Sequence, residues 1–279
     1  KELEFGTGGM RGKIGGGTNR MNFVTIAKAT QGIANYLNEK YTNEEISAAI
    51  AYDSRNMSKE FAEKTASVFA ANKINVYLFD SLRPTPELSY AVRYFKCKAG
   101  VVITASHNPP EYNGYKVYDE FGGQVVEDAN KIIEKINDVR LEEIKVSEFI
   151  GNNKIQLIGN DVDTLYINEI KNLSLQEDID KNIKIIYTPL HGSGNKLVRR
   201  LLDEMGYDNV FVVKEQEEPD PQFSTVKSPN PEEISSFEIA IKKAEELDGE
   251  IIIGTDPDCD RVGVVVKHNG EYIPLNGTQ

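Results

Sequence analysis

Residues 101–118 read "VVITASHNPPEYNGYKVY" and contain two extended segments separated by a polar loop. Val101–Thr104 are all β-forming residues, and the chain then runs directly into Ala-Ser-His-Asn and two prolines. A second extended segment follows Asn113-Gly114, a dipeptide that favours a tight turn. The stretch therefore predicts a buried strand that ends in a stiff polar loop, followed by a turn and a returning strand.

Helical and extended patterns alternate on both sides of this stretch. A polar segment at 145–160, punctuated by Gly and Asn, interrupts the alternation, which then restarts and continues to a hairpin turn at Asn269-Gly270. Two successive series of strand and helix predict two layered α/β domains. We place the boundary after residue 150, which gives domains at residues 1–150 and 151–279.

The composition excludes several classes of protein. The chain has 279 residues, 39% of them hydrophobic, and a net charge of −12. Such acidity argues against nucleic-acid or anionic-membrane partners, and no apolar run is long enough to span a bilayer. Only two cysteines occur, Cys97 and Cys259, so we predict no disulfide framework and a cytoplasmic location.

Three unusual loops follow predicted strands, at positions where α/β domains bind ligands. One of them, "GTDPDCDRVG", places Asp256, Asp258 and Asp260 directly after a buried strand. Three close carboxylates repel one another unless a cation neutralises them, and hard oxygen ligands favour Mg²⁺ or Ca²⁺. An EF-hand is excluded because Arg261 and Lys267 occupy the positions that require Gly and Glu. A solvated acidic turn is the structural alternative.

The polar loop of residues 101–118 offers Ser106 and His107 as a second candidate. Two adjacent loop side chains are weak evidence alone, and the G-x-S-x-G pattern of a hydrolase elbow is absent. A serine can also carry a phosphoryl group, which requires a divalent cation and a nearby acid or base. The three aspartates could hold that cation.

Taken together, "TASHNP", "NGYK" and "DPDCDR" resemble the motifs of the α-D-phosphohexomutase superfamily. The longer form of the first motif is most similar to the phosphoglucomutase and phosphopentomutase branch. The resemblance covers the whole chain, from "GTGGMRG" through "YDSR" and "PLHGSG" to "LNGTQ". It implies two successive three-layer α/β/α domains with mixed, mainly parallel sheets. It also implies a mutase that interconverts sugar 1-phosphate and 6-phosphate, with phosphomannomutase or phosphopentomutase specificity as alternatives.

The resemblance implies a role for each motif residue. Ser106 would be the phosphoserine, and one Mg²⁺ per chain would be held by that serine together with Asp256, Asp258 and Asp260. Lys116 would be a general acid or base assisted by His107. The remaining implied site residues are Arg11 near the transferred group and, for phosphate binding, Arg261, Arg55 and Asn108. A sugar bisphosphate would be the intermediate and activator.

Some positions and properties are less defined by the sequence. We interpret His191 as a structural loop histidine, and the oligomeric state is not specified. We expect the chain to be an N-terminal two-domain fragment with little activity alone, because the family's two later domains and their sugar-binding loops are absent from it. A catalytically silent binding or regulatory protein and a simple phosphatase remain the alternatives.

Overall fold

The fold is described from a computed structural model, which covers residues 2–176 and 179–275. The described residues divide into two compact units. One unit comprises the residues up to Ala105 together with Glu111–Gly159, and the other comprises Ser106–Pro110 together with the residues from Asn160 onward. Among the helices of these residues, none combines the length and apolar character that crossing a membrane requires.

The first unit is a six-stranded sheet flanked by helices. Its strands are β1 (Gly9–Lys13), β2 (Ser47–Tyr52), β3 (Asn75–Phe79), β4 (Ala99–Ile103), β5 (Tyr112–Tyr118) and β6 (Ile155–Ile158). Its helices are α1 (Phe23–Lys40), α2 (Ser58–Ala71), α3 (Thr85–Tyr94) and α4 (Ala129–Asp138), followed by a 3-10 turn at Leu141–Glu143. The strand order is β1-β5-β4-β2-β3-β6, in which β4, β2, β3 and β6 pair in parallel and β5 is antiparallel to both neighbours.

The second unit has a five-stranded sheet. Its strands are β7 (Ile185–Thr188), β8 (Val210–Val212), β9 (Ile251–Thr255), β10 (Val262–His268) and β11 (Glu271–Leu275). Its helices are α5 (Asn160–Lys171), α6 (Gly194–Glu204) and α7 (Glu238–Leu247), with 3-10 turns at Lys214–Gln216 and Ile234–Phe237. The order is β11-β10-β9-β7-β8, with parallel pairing at β9-β7-β8 and antiparallel pairing around β10. The predicted α/β fold class with mixed sheets is thus confirmed.

Local sequence accounts for the first helix and the central strand. Asn22 caps α1 by accepting hydrogen bonds from the backbone of Val24 and Thr25, and the Thr25 hydroxyl in turn accepts from the Asn22 backbone N–H. The helix is buried over much of its circumference, because it packs against α2 and α4 as well as contributing apolar side chains to the core of the first unit. All five residues of β4 are buried, as expected for a strand covered on both faces.

The boundary between the units lies later than the predicted position after residue 150. Residues 155–158 form β6, which pairs in parallel with Val76–Phe79 of β3 in the first sheet. Four more residues of regular structure therefore belong to the first unit, which ends at Gly159. The polar 145–160 segment suggested a linker, but its short apolar run "IQLI" completes the sheet edge.

The predicted turn at Asn113-Gly114 is wrong, because both residues are extended within β5. They pair with Gly12 and Arg11 of β1, a strand that the sequence patterns did not reveal. The Asn113 amide is fully buried and donates to the Asn56 carbonyl oxygen at 2.9 Å. Gly114 is required for close approach, since a Cβ there would lie 2.4 Å from the Thr104 carbonyl oxygen. The dipeptide therefore serves packing instead of chain reversal.

Gly32→Ala is expected to destabilise the first unit by about 2 kcal/mol, although alanine is the better helix former by about 1 kcal/mol. Gly32 lies within α1, and a Cβ there would meet Ile136 Cα of α4 at 2.5 Å and its backbone N at 2.7 Å. A backbone contact can be relieved only by moving the helix. Urea unfolding measures the effect, and Gly16→Ala, which meets nothing within 4 Å, is the control. Equal or higher stability of the Gly32 variant would contradict the prediction.

Candidate metal centre and serine loop

Three aspartate carboxylates converge in the second unit, directly after β9. Asp256 and Asp258 are fully buried and Asp260 is exposed. One oxygen from each carboxylate lies within 4.8 Å of the others, which is close enough for all three to contact one ion. The structure therefore brings together the three residues that the sequence singled out as metal ligands.

The loop wraps tightly around Asp256. The Asp256 Oδ1 accepts hydrogen bonds from the backbone N–H groups of Asp260 and Arg261, each at 3.1 Å. The Asp256 carbonyl oxygen accepts another from Cys259 N at 2.9 Å. Cys259 adopts a left-handed conformation with φ 55°, which turns the chain back over the carboxylate. These contacts fix Asp256 at the base of the cluster.

The electrostatics of the cluster suit a hard cation. Burial, followed by the negative charges of Asp258 and Asp260, raises the pKa of Asp256 well above its usual value. Such a cluster must be neutralised by a proton or a cation, and its all-oxygen donor set fits Mg²⁺ or Ca²⁺. Burial also raises the pKa of the Cys259 thiol to about 12, and a soft sulfur donor is a poor ligand for Mg²⁺ or Ca²⁺.

The serine loop, residues 106–110, belongs to the second unit, although β4 and β5 on either side of it belong to the first. Ser106 is almost fully buried, and its Oγ donates a hydrogen bond of 2.8 Å to Asp256 Oδ2. The neighbouring His107 Nδ1 lies 3.2 Å from the same hydroxyl oxygen, and Asn108 is half-buried. Ser106 itself has φ 53°, a strained value of the kind that clusters at functional sites.

Arg261 lies at the edge of this cluster. Its backbone N–H binds Asp256, whereas its guanidinium Nη1 donates to Glu232 Oε1 at 3.0 Å. The side chain is about one-third exposed, at 35%. The guanidinium is thus accessible for an anion, and it is held by the carboxylate of Glu232 in the proline-rich loop of residues 218–233.

In the first unit, Arg11 and Lys116 lie on the same face of the sheet. Arg11 of β1 is opposite Gly114 of β5, and Lys116 is opposite Gly9, which makes the two cations diagonal neighbours. In the β1–β5 pair both facing positions are glycine, whereas on its other side Lys116 is opposite Val102 of β4. Arg11 is exposed and the Lys116 side chain is buried to 5% exposure.

Arg55 is placed differently from the phosphate-binding residue that the resemblance implied. It is 3% exposed, its Nη1 donates to the Tyr112 carbonyl oxygen at 3.0 Å, and its Nε lies 3.4 Å from Asp53 Oδ2. Asp53 also accepts from the Ser58 hydroxyl at 2.6 Å. These contacts give Arg55 a clear structural role at the ends of β2 and β5, and a ligand role stays a prediction.

The loop after β7 is one of the three unusual loops that the sequence indicated, but the sequence did not reveal that this loop supports the aspartate cluster. Residues 189–194, "PLHGSG", follow β7, and both the backbone N–H and the Oγ of Ser193 donate to the Pro257 carbonyl oxygen at 2.9 Å. His191 was interpreted as structural, and its ring bonds the Glu218 carbonyl oxygen at 2.9 Å and the Thr225 hydroxyl at 2.7 Å. The Gly-Ser-Gly sequence was the only local signal of this support.

Comparison with protein-family models gives two matches that follow the two units. The model for phosphoglucomutase/phosphomannomutase alpha/beta/alpha domain I matches residues 2–143, and that for domain II matches residues 164–270. The chain belongs to the phosphoglucomutase/phosphomannomutase family. The resemblance drawn from the motifs is thereby confirmed.

Named relatives of this family member include two staphylococcal phosphoglucomutases. The protein of Staphylococcus haemolyticus is 42% identical over 284 aligned positions, which take in 100% of this chain and 51% of the relative. That of Staphylococcus saprophyticus is 39% identical over 99% of this chain and 51% of its own length. The chain thus spans about half the length of the curated relatives it matches.

Solved structures of the family share the fold. A Thermus thermophilus protein assigned to the phosphomannomutases is 27% identical and superposes with a TM-score of 0.79 over 98% of this chain and 58% of its own. A Burkholderia thailandensis member of the phosphoglucomutase/phosphomannomutase family is 22% identical, with a TM-score of 0.71 over 95% of this chain and 55% of its own.

Proposed function

We propose that this chain carries the phosphoserine and the metal centre of a phosphosugar mutase of the phosphoglucomutase type. The observation that carries the proposal is the 2.8 Å hydrogen bond from Ser106 Oγ to Asp256 Oδ2, inside a cluster of three aspartates. Since the chain spans about half of its relatives, the complete reaction is proposed for the whole protein. The phosphoryl-accepting step is proposed for this chain.

The charges around Ser106 explain why a cation belongs to this proposal. A phosphoryl group on Ser106 would bring a charge of about −1.5 to −2 next to the Asp256 carboxylate. Asp256, Asp258 and Asp260 would hold one Mg²⁺ together with a phosphoserine oxygen. When bound, the ion supplies charge neutralisation for phosphoryl transfer, which depends more on positioning and electrostatics than on covalent chemistry.

The proposed cycle consists of two transfers. In the first, the bond between phosphorus and Ser106 Oγ breaks while a bond forms to the free hydroxyl of a sugar monophosphate, whose proton passes to a base, and Ser106 Oγ takes up a proton from a general acid. The sugar bisphosphate then reorients and returns its other phosphoryl group to Ser106, whose hydroxyl proton passes to a base while the released sugar oxygen is protonated by a general acid. In the unphosphorylated form, which occurs between the two transfers, the Ser106 hydroxyl donates a hydrogen bond to Asp256, so this carboxylate orients the oxygen that is rephosphorylated.

The family pattern supports roles for the other site residues. Lys116 is proposed as general acid or base and Arg11 as a contact of the transferred group, and the placement of both on one face of the sheet, with Arg11 exposed, supports these roles. Arg261 and Asn108 are proposed to contact phosphate, and His107 is proposed to assist through its approach to the Ser106 hydroxyl.

The proposed substrates are glucose phosphates, because relatives at 42% and 39% identity bear the name phosphoglucomutase. Mannose and pentose phosphates are the competitors in any substrate test. We further propose a cytoplasmic location and no nucleic-acid or membrane partner, which the net charge of −12 supports.

The proposal is tested by intact-mass measurement. The chain is incubated with Mg²⁺ and glucose 1,6-bisphosphate, and a gain of about 80 Da, one phosphoryl group, is expected. Peptide mapping should assign the added mass to Ser106. No mass gain at millimolar bisphosphate, with the chain folded, would overturn the proposal in favour of a silent binding protein. A gain that is lost to water within minutes would favour a phosphatase.

A further inference from the structure

The loop of residues 189–194 supports the aspartate loop, residues 256–261, which we call the metal loop. The contact is made at one backbone atom, the carbonyl oxygen of Pro257. Both the N–H and the hydroxyl of Ser193 donate to this oxygen at 2.9 Å, and Ser193 is 4% exposed. Pro257 is itself buried between Asp256 and Asp258. Two donors on one buried carbonyl oxygen hold the orientation of the peptide that leads into Asp258.

Glycines on either side of Ser193 allow the two loops to approach. A Cβ on Gly192 would lie 2.6 Å from Pro257 Cα and 2.9 Å from the Asp256 carbonyl oxygen. A Cβ on Gly194 would lie 2.8 Å from Cys259 Sγ. The whole Gly-Ser-Gly segment is thus in contact with the backbone and side chains of the metal loop.

This supporting loop is strained and is held in place from its other side. Leu190 and His191 have φ values of 46° and 62°, which are unfavourable for non-glycine residues. The His191 N–H donates to the Gln216 carbonyl oxygen at 3.0 Å. Since a carbonyl oxygen only accepts, His191 Nδ1 donates to Glu218 O, and His191 Nε2 is hydrogen-bonded to the Thr225 hydroxyl. These bonds maintain a conformation that the backbone would otherwise leave.

We propose that Ser193 is a positioning residue for the metal centre. The Ser193 hydroxyl fixes the Pro257 carbonyl, and thereby sets the separation of the carboxylates of Asp256 and Asp258, which flank Pro257 in sequence. The inference rests on the proposed metal site. It extends that site to a residue that contacts neither the ion nor the phosphoryl group, and it assigns a reason to the strain at Leu190 and His191.

Metal selectivity distinguishes positioning from general stability. Mg²⁺ requires nearly ideal octahedral geometry with short bonds, whereas Ca²⁺ tolerates flexible sites. Ser193→Ala removes one of the two donors to Pro257 without adding bulk. We expect it to weaken Mg²⁺ binding about tenfold, the lower end of what loss of a supporting contact costs a metal site, and to weaken Ca²⁺ binding by less than about threefold.

The experiment is isothermal titration of the metal-free full chain with each ion, alongside thermal unfolding. Ser236→Ala is the matched control, because Ser236 is equally buried in the same unit and donates its hydroxyl to the carbonyl oxygens of Glu233 and Asn230. Ser236→Ala should lower the unfolding temperature by about as much as Ser193→Ala does, and it should leave the ratio of Mg²⁺ to Ca²⁺ affinity unchanged.

The outcomes separate the inference from the proposal beneath it. If the wild-type chain binds Mg²⁺ and Ser193→Ala binds both ions as the wild type does, the positioning role is overturned and the metal site stands. Equal changes in Ser193→Ala and Ser236→Ala would also overturn it, since they would reflect stability alone. If the wild-type chain binds neither ion, the metal centre and the inference both fail.

Discussion

Asp258→Asn is expected to weaken Mg²⁺ binding by at least about 100-fold, the largest effect we predict for the metal centre. Asp258 is fully buried, and its carboxylate shares a 4.8 Å cluster with those of Asp256 and Asp260. Asparagine has the same shape and keeps one oxygen, but it removes one of the three negative charges that attract the ion. Because affinity in oxygen-ligand sites depends on the number of charged ligands, the loss should be severe.

Titration calorimetry of metal-free protein measures this effect. Asp220→Asn is the control, since Asp220 lies in the same unit and accepts hydrogen bonds from Gln222 and from the backbone and side chain of Ser224, outside the aspartate cluster. It should bind Mg²⁺ as the wild type does. Affinity of Asp258→Asn within threefold of the wild type would exclude Asp258 as a ligand.

Ser106→Ala is expected to abolish phosphoryl incorporation from glucose 1,6-bisphosphate. The substitution removes the only atom proposed to accept the group, and it deletes the 2.8 Å hydrogen bond to Asp256 Oδ2. Alanine adds no volume, and it meets the same positive φ of 53° that serine already tolerates, so the fold should persist. Mass spectrometry after incubation with Mg²⁺ should detect no added phosphoryl group.

Ser224→Ala tests whether incorporation is specific. Ser224 is an exposed serine of the same unit, and its hydroxyl is hydrogen-bonded to Asp220. This variant should gain the same mass as the wild type. If Ser106→Ala still gains the phosphoryl mass, another residue is the acceptor, and the phosphoserine assignment is wrong even though the family membership stands.

The sequence predicted the features that depend on local chemistry. Alternating aspartates after a buried strand predicted a cluster, because residues so near the end of a strand have little freedom to separate. The structure does bring Asp256, Asp258 and Asp260 together. The hairpin turn at Asn269-Gly270 was also recognisable from a short motif, and β10 and β11 pair on either side of it.

Features set by tertiary contacts were not predictable in this way. Asn113-Gly114 has the composition of a turn, but pairing with β1 and burial of the Asn113 amide hold it extended. The strand β6 is short and follows a polar segment, so its place in the first sheet depends on its pairing with β3. The support from Ser193 joins two distant loops, as the separation of 64 residues between Ser193 and Pro257 indicates. No local pattern encodes such a contact.

The assignment of Ser106–Pro110 to the second unit limits how this protein can be divided. The serine and its aspartate partner are 150 residues apart in sequence, and the strands on both sides of the serine loop belong to the first unit. A single cut between the units at Gly159 would leave the serine on one product and all three aspartates on the other. The two α/β units are therefore not exchangeable modules, because recombination or truncation at their boundary separates the serine from its carboxylate partner.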